Sequence, residues 1–489
     1  MESVVSIAEA VNSGTTSARA VLAEHIARHH SIHPTLNALV QTRHGDADRE
    51  AAALDRHPAG PLAGVPVSVK ECFAVNGLVT TLGIPARRGC VDRTDAPIVS
   101  RLRRAGALVV GKGNVPQAMY LHDTENPVWG RTNHPHDPQR GPGGSSGGDA
   151  ALVAAGVVPL AVGNDLAGSI RQPAMACGIV GLVPRTATWG GEGAFDTMPH
   201  LSVVQSRTGL LARHVADAEQ AFRALSSWCQ PQPCEPRSLR IAWWDGTGPL
   251  APQASVRRAV GVAIERLANA GVSCRQFDDS LATLAAAVHL GLLSADGGTH
   301  VRELFAGTRP VPQVDQLLRR AGIPRWIRPC LAALCRMGGR RIEAEGLRWT
   351  GPRHQRGLQE VLAARQELVT RLEPMAGEYD ALICPVSALP ALRHGTAARL
   401  VLAAVPCMLA NLLDLPAGVV PVCRVDPCEE VGRGTSADPV VQAAIENEKG
   451  SAGLPVGVQV IGLDTAPGRG EATVLEIMRL IERRGLLWS

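Results

Sequence analysis

Aromatic side chains are nearly missing from this chain: phenylalanine, tyrosine and tryptophan make up 3% of 489 residues. The core must therefore be built from alanine, valine and leucine, and a hydrophobic fraction of 45% is ample for that. Lysine is also scarce. Only Lys70, Lys112 and Lys449 occur among 49 basic residues. Biased coding accounts for the arginines, yet it makes each lysine worth attention, because an amine can be neutral at working pH and a guanidinium cannot. Neither sign of charge dominates, since 45 acidic residues leave a net charge of +4. That balance argues against a nucleic-acid partner. No run of about 18 apolar residues exists, so no segment reads as a membrane span. The first residues, MESVVSIAEAVNSG, lack a basic stretch followed by an apolar one. No signal peptide is read there, and a cytoplasmic location is expected.

The twelve cysteines are too scattered for a disulfide framework. Cys229/Cys234, Cys330/Cys335 and Cys423/Cys428 each enclose four residues, at the loose end of zinc-ligand spacing. No histidine pair accompanies them, and Cys330 and Cys335 would fall on different faces of a helix. Reduced, mostly buried thiols are expected, with no metal and no cofactor.

Along the chain, residues 5–12 and 17–29 read as short amphipathic helices, capped by Ser6 with Glu9 and by Thr16. From Gly60 short apolar strands (Val65–Lys70, Ala107–Val110) alternate with helices (98–105), an α/β pattern. Residues 256–270, 281–293, 313–320, 326–337 and 355–372 read as helices in the least sheet-like third of the chain. Strand patterns return at 381–385, 417–422 and 456–461, and a helix over 471–484 follows. Strands on both sides of the helical stretch need each other to bury both faces. One domain over 1–489 is therefore expected. It comprises N-terminal helices (1–59), a core (60–225), a variable helical insertion over the substrate (226–375) and a return to the core sheet (376–489).

The chemistry gathers in Gly141–Arg171, which opens on Gly143-Gly-Ser-Ser-Gly-Gly148 and closes on Ala167-Gly168-Ser169. The first loop does not read as a linker, because structured apolar sequence follows it. No Gly-Lys-Ser/Thr follows it either, so it is not a phosphate loop. G-x-S-x-G occurs twice, at Ser145 and Ser146, without the preceding strand that a nucleophile elbow needs. Lys70 ends an apolar strand. Burial there would lower its pKa, as a general base requires, and the plainer reading is a lysine snorkelling to the surface. Asn164–Ser169 offers successive backbone N–H groups beside a hydroxyl, as an oxyanion hole needs. No Ser/His/Asp set suggests itself by position.

Gly60-Pro-Leu-Ala-Gly-Val-Pro-Val-Ser-Val-Lys70, Pro142–Gly148, Gly168-Ser-Ile-Arg171-Gln-Pro173 and Cys177–Leu182 together resemble the amidase signature family. The order matches, with 75 residues from Lys70 to Ser145 and 24 from there to Ser169. Asp380–Pro385, Leu415–Gly418 and Gly453–Gln459 extend the likeness over nearly the whole chain. Val67–Phe73, Asn114–Met119 and Asn411–Pro421 lean towards the fatty acid amide hydrolase branch.

The resemblance implies a large twisted mixed sheet covered by helices, and a serine amidase acting on a small, apolar or acyl-chain amide. Lys70, Ser145 and Ser169 would form a Ser-cisSer-Lys triad with a cis peptide before Ser145. The backbone N–H groups of Leu166, Ala167, Gly168 and Ser169 would hold the oxyanion. Ser146, Asp165 and Arg171 would support the turn, although Asp165 and Arg171 also read as a plain structural ion pair. Met119, Tyr120 and Leu121 would meet the substrate. An acyltransferase of secondary metabolism and an amidotransferase A-type subunit are the alternatives. Residues 316–337, where arginines interleave with Trp326, Ile327, Leu331 and Leu334, are similar in placement to a membrane-facing cap. The plainer reading, slightly preferred, is a solvated helix packed on the core. The resemblance also allows a homodimer. Where the family turn reads Gly-Thr-Asp-x-Gly-Gly-Ser, this chain has Gly163-Asn-Asp-Leu-Ala-Gly-Ser169. Ala167 would be strained by about 1 kcal/mol or more if its position required positive φ.

Overall fold

The computed structural model describes residues 3–201, 203–226, 238–466 and 468–482. Among them thirteen strands occur: β1 (Leu39–Thr42), β2 (Pro66–Lys70), β3 (Leu108–Gly113), β4 (Glu125–Asn126), β5 (Gly130–Arg131), β6 (Leu160–Asp165), β7 (Val180–Val183), β8 (Arg207–Ala212), β9 (Arg240–Trp243), β10 (Ser273–Gln276), β11 (Ala381–Pro385), β12 (Ala417–Arg424) and β13 (Pro455–Gly462). β4 and β5 pair as a small separate hairpin. The other eleven form one mixed sheet in the order β1-β3-β2-β6-β8-β7-β12-β13-β11-β9-β10. The central strands are short runs of valine, leucine and alanine because helices cover both faces. Every residue of β2, β3, β6, β7, β8, β11 and β13 is buried.

The register positions the site. β2 runs parallel to β6, with Val67 opposite Leu160 and Val69 opposite Val162. Both strands therefore end at the same edge of the sheet, and Lys70, the last residue of β2, arrives beside Gly163 and Asn164. The helix Gly147–Ala154 connects the glycine-serine loop to β6 and packs on β2, β3 and β6.

The strands and helices read from sequence are present, but the second helix runs on to Leu36, and the strand Leu39–Thr42 and the helices His44–Arg56, Arg341–Trp349 and Pro439–Glu448 were not read. Three further differences follow. The first helix begins at Val4, capped by a reciprocal Ser3–Ser6 pair rather than by Ser6 with Glu9. The Asp217 carboxylate accepts the N–H of Val4 at 2.7 Å, and this distant contact draws the start forward. The second helix is capped by Ser17, not Thr16. Within the helical stretch, β9 and β10 add parallel to the edge of the sheet. They escaped the sequence reading because strands of four residues with exposed arginines carry little alternation.

In the helix Arg328–Met337, Cys330 is exposed and Cys335 buried. Cys229 and Cys234 lie outside the described residues.

Candidate active site

Two of the three lysines take opposite roles. Lys112 is buried against a carboxylate, donating to Asp92 Oδ2 at 2.7 Å and to Thr80 Oγ1 at 2.9 Å. Lys70 is as deeply buried but has no carboxylate within ion-pair distance among the described residues. Its Nζ lies 2.7 Å from Ser145 Oγ, 2.6 Å from Asn164 Oδ1 and 3.4 Å from the Asn164 carbonyl. Burial lowers its pKa, against the weaker opposing pull of Cys72, Asp149 and Asp165. Asp149, which accepts from Ser68 at 2.8 Å, is itself pushed up to about 7 by burial. Raising the Asp149 pKa weakens its pull on the charged form of Lys70.

These three contacts match the valence of a neutral amine. In the neutral form, two N–H groups would serve the two oxygens of Asn164, and the lone pair would accept from the hydroxyl of Ser145. Asn164 is held in turn, donating through Nδ2 to Ser206 Oγ at 2.8 Å. Sequence reading marked Asn164 as a departure without giving it this task.

The Gly144–Ser145 peptide is cis. Ser146 is buried, donates its hydroxyl to the Asn164 carbonyl at 3.4 Å, and gives its N–H to the Ser169 carbonyl at 3.1 Å. That backbone bond ties the two loops together. Among the described residues no hydrogen bond joins the hydroxyls of Ser145 and Ser169. The Ser169 side chain instead faces the cavity.

The turn after β6 is built on Asp165. Its carboxylate accepts from the N–H of Gly168 (2.8 Å) and of Ile170 (3.0 Å), and pairs with Arg171 through Nη2 (2.9 Å) and Nε (3.1 Å). Burial pushes this carboxyl up. Arg171, Arg207 and the backbone donors outweigh that and hold it well below the usual carboxylate range. Arg171 also donates to Gln459 Oε1 at 3.0 Å and to Asn411 Oδ1, and Asn411 returns a bond to Asp165 Oδ1 at 3.0 Å.

The turn narrows the expected oxyanion site. Because Gly168 gives its N–H to Asp165, the groups of Leu166, Ala167 and Ser169 are the ones that meet no protein acceptor among the described residues. Ala167 does not have positive φ, so the strain considered for it does not arise. Gly168 has φ 102°, and a Cβ there would come within 2.8 Å of Cys407.

Ser169, Leu166 and Ala167 open into a cavity of about 230 Å³. Met119, Tyr120 and Leu121 all line it, with His122 next to them. Its wall is otherwise largely aliphatic, including Met198, Leu290, Leu317, Ile342, Leu402 and Met408. Arg320, Glu343 and Arg399 supply charge. Loss of hydration pushes His122 down to about 4, so it stands neutral beside Ala167.

A family model described as amidase matches residues 20–467. A fatty-acid amide hydrolase 1 from Sus scrofa is 31% identical over 509 residues, covering 98% of this chain and 84% of that protein. An indoleacetamide hydrolase from Bradyrhizobium diazoefficiens is 37% identical over 250 residues, covering 50% of this chain and 46% of its own. A solved fatty acid amide hydrolase superposes with a TM-score of 0.83 at 21% identity, covering 100% of this chain and 86% of that one, a likeness of fold. The chain belongs to the amidase signature family. It is an amide-hydrolysing enzyme.

Proposed function

We propose that this amidase hydrolyses the C–N bond of a small amide with an apolar acyl part, through an acyl-enzyme on Ser169. The observation that carries the reading is Lys70: a buried amine without a carboxylate partner among the described residues, its Nζ 2.7 Å from Ser145 Oγ. Neutral Lys70 takes the proton of Ser145, and Ser145 takes that of Ser169. Ser169 Oγ adds to the carbonyl carbon, and the oxyanion meets the N–H groups of Leu166, Ala167 and Ser169. As the C–N bond breaks, the proton on Lys70 returns through Ser145 to the leaving nitrogen. Water then gives its proton to the same relay, adds to the acyl carbon and releases the acid, freeing Ser169. Ser146, Asp165 and Arg171 hold the two turns in place.

The aliphatic wall supports an acyl chain over a compact polar substrate. Burying one methylene contributes about 0.8 kcal/mol, so each added carbon should raise kcat/KM about fourfold until the cavity is filled. A series of primary amides of increasing chain length tests this. A flat series, or a preference for acetamide, would rule out the acyl-chain assignment.

The segment 316–337 supports a peripheral contact with an anionic lipid surface. Trp326, Leu334 and Met337 are 80%, 59% and 85% exposed, whereas the helix Arg328–Met337 buries only Arg328, Ala332 and Cys335. Within the helix the spacing of 330, 334 and 337 gathers exposed residues on one side, with exposed Trp326 in the turn before it; the nearby Arg319, Arg325, Arg336 and Arg340 are each paired with a carboxylate. Among the described residues no helix is long and apolar enough to cross a membrane.

A further inference from the structure

A second cluster of chemistry-bearing side chains takes no part in the amidase site. The helix Ala18–Leu36 carries His29, His30 and His33, and the helix His44–Arg56 begins on His44. The rings of His29, His30 and His44 form a triangle, with centroids 5.5 Å (29–30), 5.4 Å (29–44) and 5.9 Å (30–44) apart. Their planes are inclined by 46° to 76°, so ring edges converge rather than faces. One ring nitrogen of each lies within 4.8 Å of those of the other two. Three imidazoles on one tetrahedral ion, with Zn–N bonds of about 2.0–2.1 Å, place their centroids about 5 Å apart. The triangle is thus nearly that size already, and closing it takes side-chain movements of under about 1 Å.

His29 shows what is missing. Its Nδ1 is buried with no hydrogen-bond partner, while its Nε2 lies 3.2 Å from Nδ1 of His33. The tautomer with hydrogen on Nε2 donates to His33 and leaves the Nδ1 lone pair unused. Metal-bound histidines are commonly oriented in this way, by the hydrogen bond that the other nitrogen makes. The ligand set is all imidazole, which suits Zn²⁺, Ni²⁺, Cu²⁺ or Co²⁺ and does not suit Mg²⁺ or Ca²⁺.

We propose that His29, His30 and His44, with His33 orienting His29, bind one borderline divalent transition-metal ion that clips the helix Ala18–Leu36 to the helix His44–Arg56. The site is separate from amide hydrolysis, and its role is to stabilise the N-terminal helix pair.

The test uses the full chain without an affinity tag, stripped with EDTA. Zn²⁺ and Ni²⁺ are titrated against a chromophoric competitor at pH 7.5, and thermal unfolding is followed with Zn²⁺, with Mg²⁺ and with neither. The expected result is one bound equivalent and a rise in Tm with Zn²⁺ but not with Mg²⁺. His30→Gln and His44→Gln should each weaken binding by at least about tenfold and remove the rise in Tm. His30 is exposed, so its replacement leaves the metal-free fold intact and decides the matter even if His44→Gln lowers stability by itself. No bound ion, or equal binding by wild type and His30→Gln, would overturn the proposal.

Discussion

A neutral amine carries two N–H groups and one lone pair, and at Lys70 each has a defined direction. When Lys70 is neutral and Asn164 takes both hydrogens, the lone pair is left for Ser145. The side-chain oxygen of Asn164 also favours the charged form of Lys70, and the two effects can be separated by substitution. In wild type kcat/KM should rise with pH as Lys70 loses its proton, with the limb below the ordinary lysine range because burial lowers its pKa. Asn164→Ala should move that limb to lower pH and still cut kcat by about tenfold or more, because the amine is no longer oriented. Asn164→Asp should move it to higher pH and suppress activity near neutrality, since a carboxylate holds Lys70 charged. Limbs that stay in place in both variants would contradict a base at Lys70 positioned by Asn164. Asp165 is the other residue on which the turn depends. Replacing it with asparagine leaves Arg171 buried with its charge uncompensated, and should cost about 3–5 kcal/mol of stability in urea unfolding. A loss below about 1 kcal/mol would mean that Asn411 and Gln459 suffice to hold Arg171.

At the scale of elements, β2, β3 and the two small-residue turns of the serine loops were legible because each announces itself locally. β-Branched runs mark the strands, and small residues mark the turns that must approach other backbone closely. The caps of the first two helices and the strands β9 and β10 at the end of the sheet were not legible. Asp217 sets the first cap from a distance, and these strands gain their pairing from a sheet that the local sequence does not contain. The helix Arg328–Met337 was legible as amphipathic, but which face is covered depends on its neighbours. Exposed Leu334 and Met337 on it, with Trp326 in the turn before it, lead to a direct expectation: the enzyme should sediment with anionic phospholipid vesicles at low salt. Replacing these three exposed residues with serine should abolish that binding and leave turnover of a short soluble amide unchanged. Equal sedimentation by the variant would exclude this face.

At the scale of the molecule, the site draws on pieces far apart in sequence. Lys70 arrives on β2, Asn164 on β6, Asn411 from beyond the helical stretch and Gln459 from β13. Motifs and the family resemblance they carry pointed to Lys70, Ser145 and Ser169 as the proposed triad. They could not show that Asn164 bridges to Lys70, or that Gly168 has already given away its N–H, because both are facts of side-chain placement. The cavity is further still from local pattern, since its wall is assembled from residues 119–122, Leu166, Ala167, Ser169 and scattered positions up to Val440. The nucleophile assignment is the claim on which the rest depends. It is tested most directly by a fluorophosphonate probe with mapping of the modified peptide. Wild type should be labelled on Ser169 and Ser169→Ala should not be labelled at all, whereas equal labelling of both proteins would contradict the account.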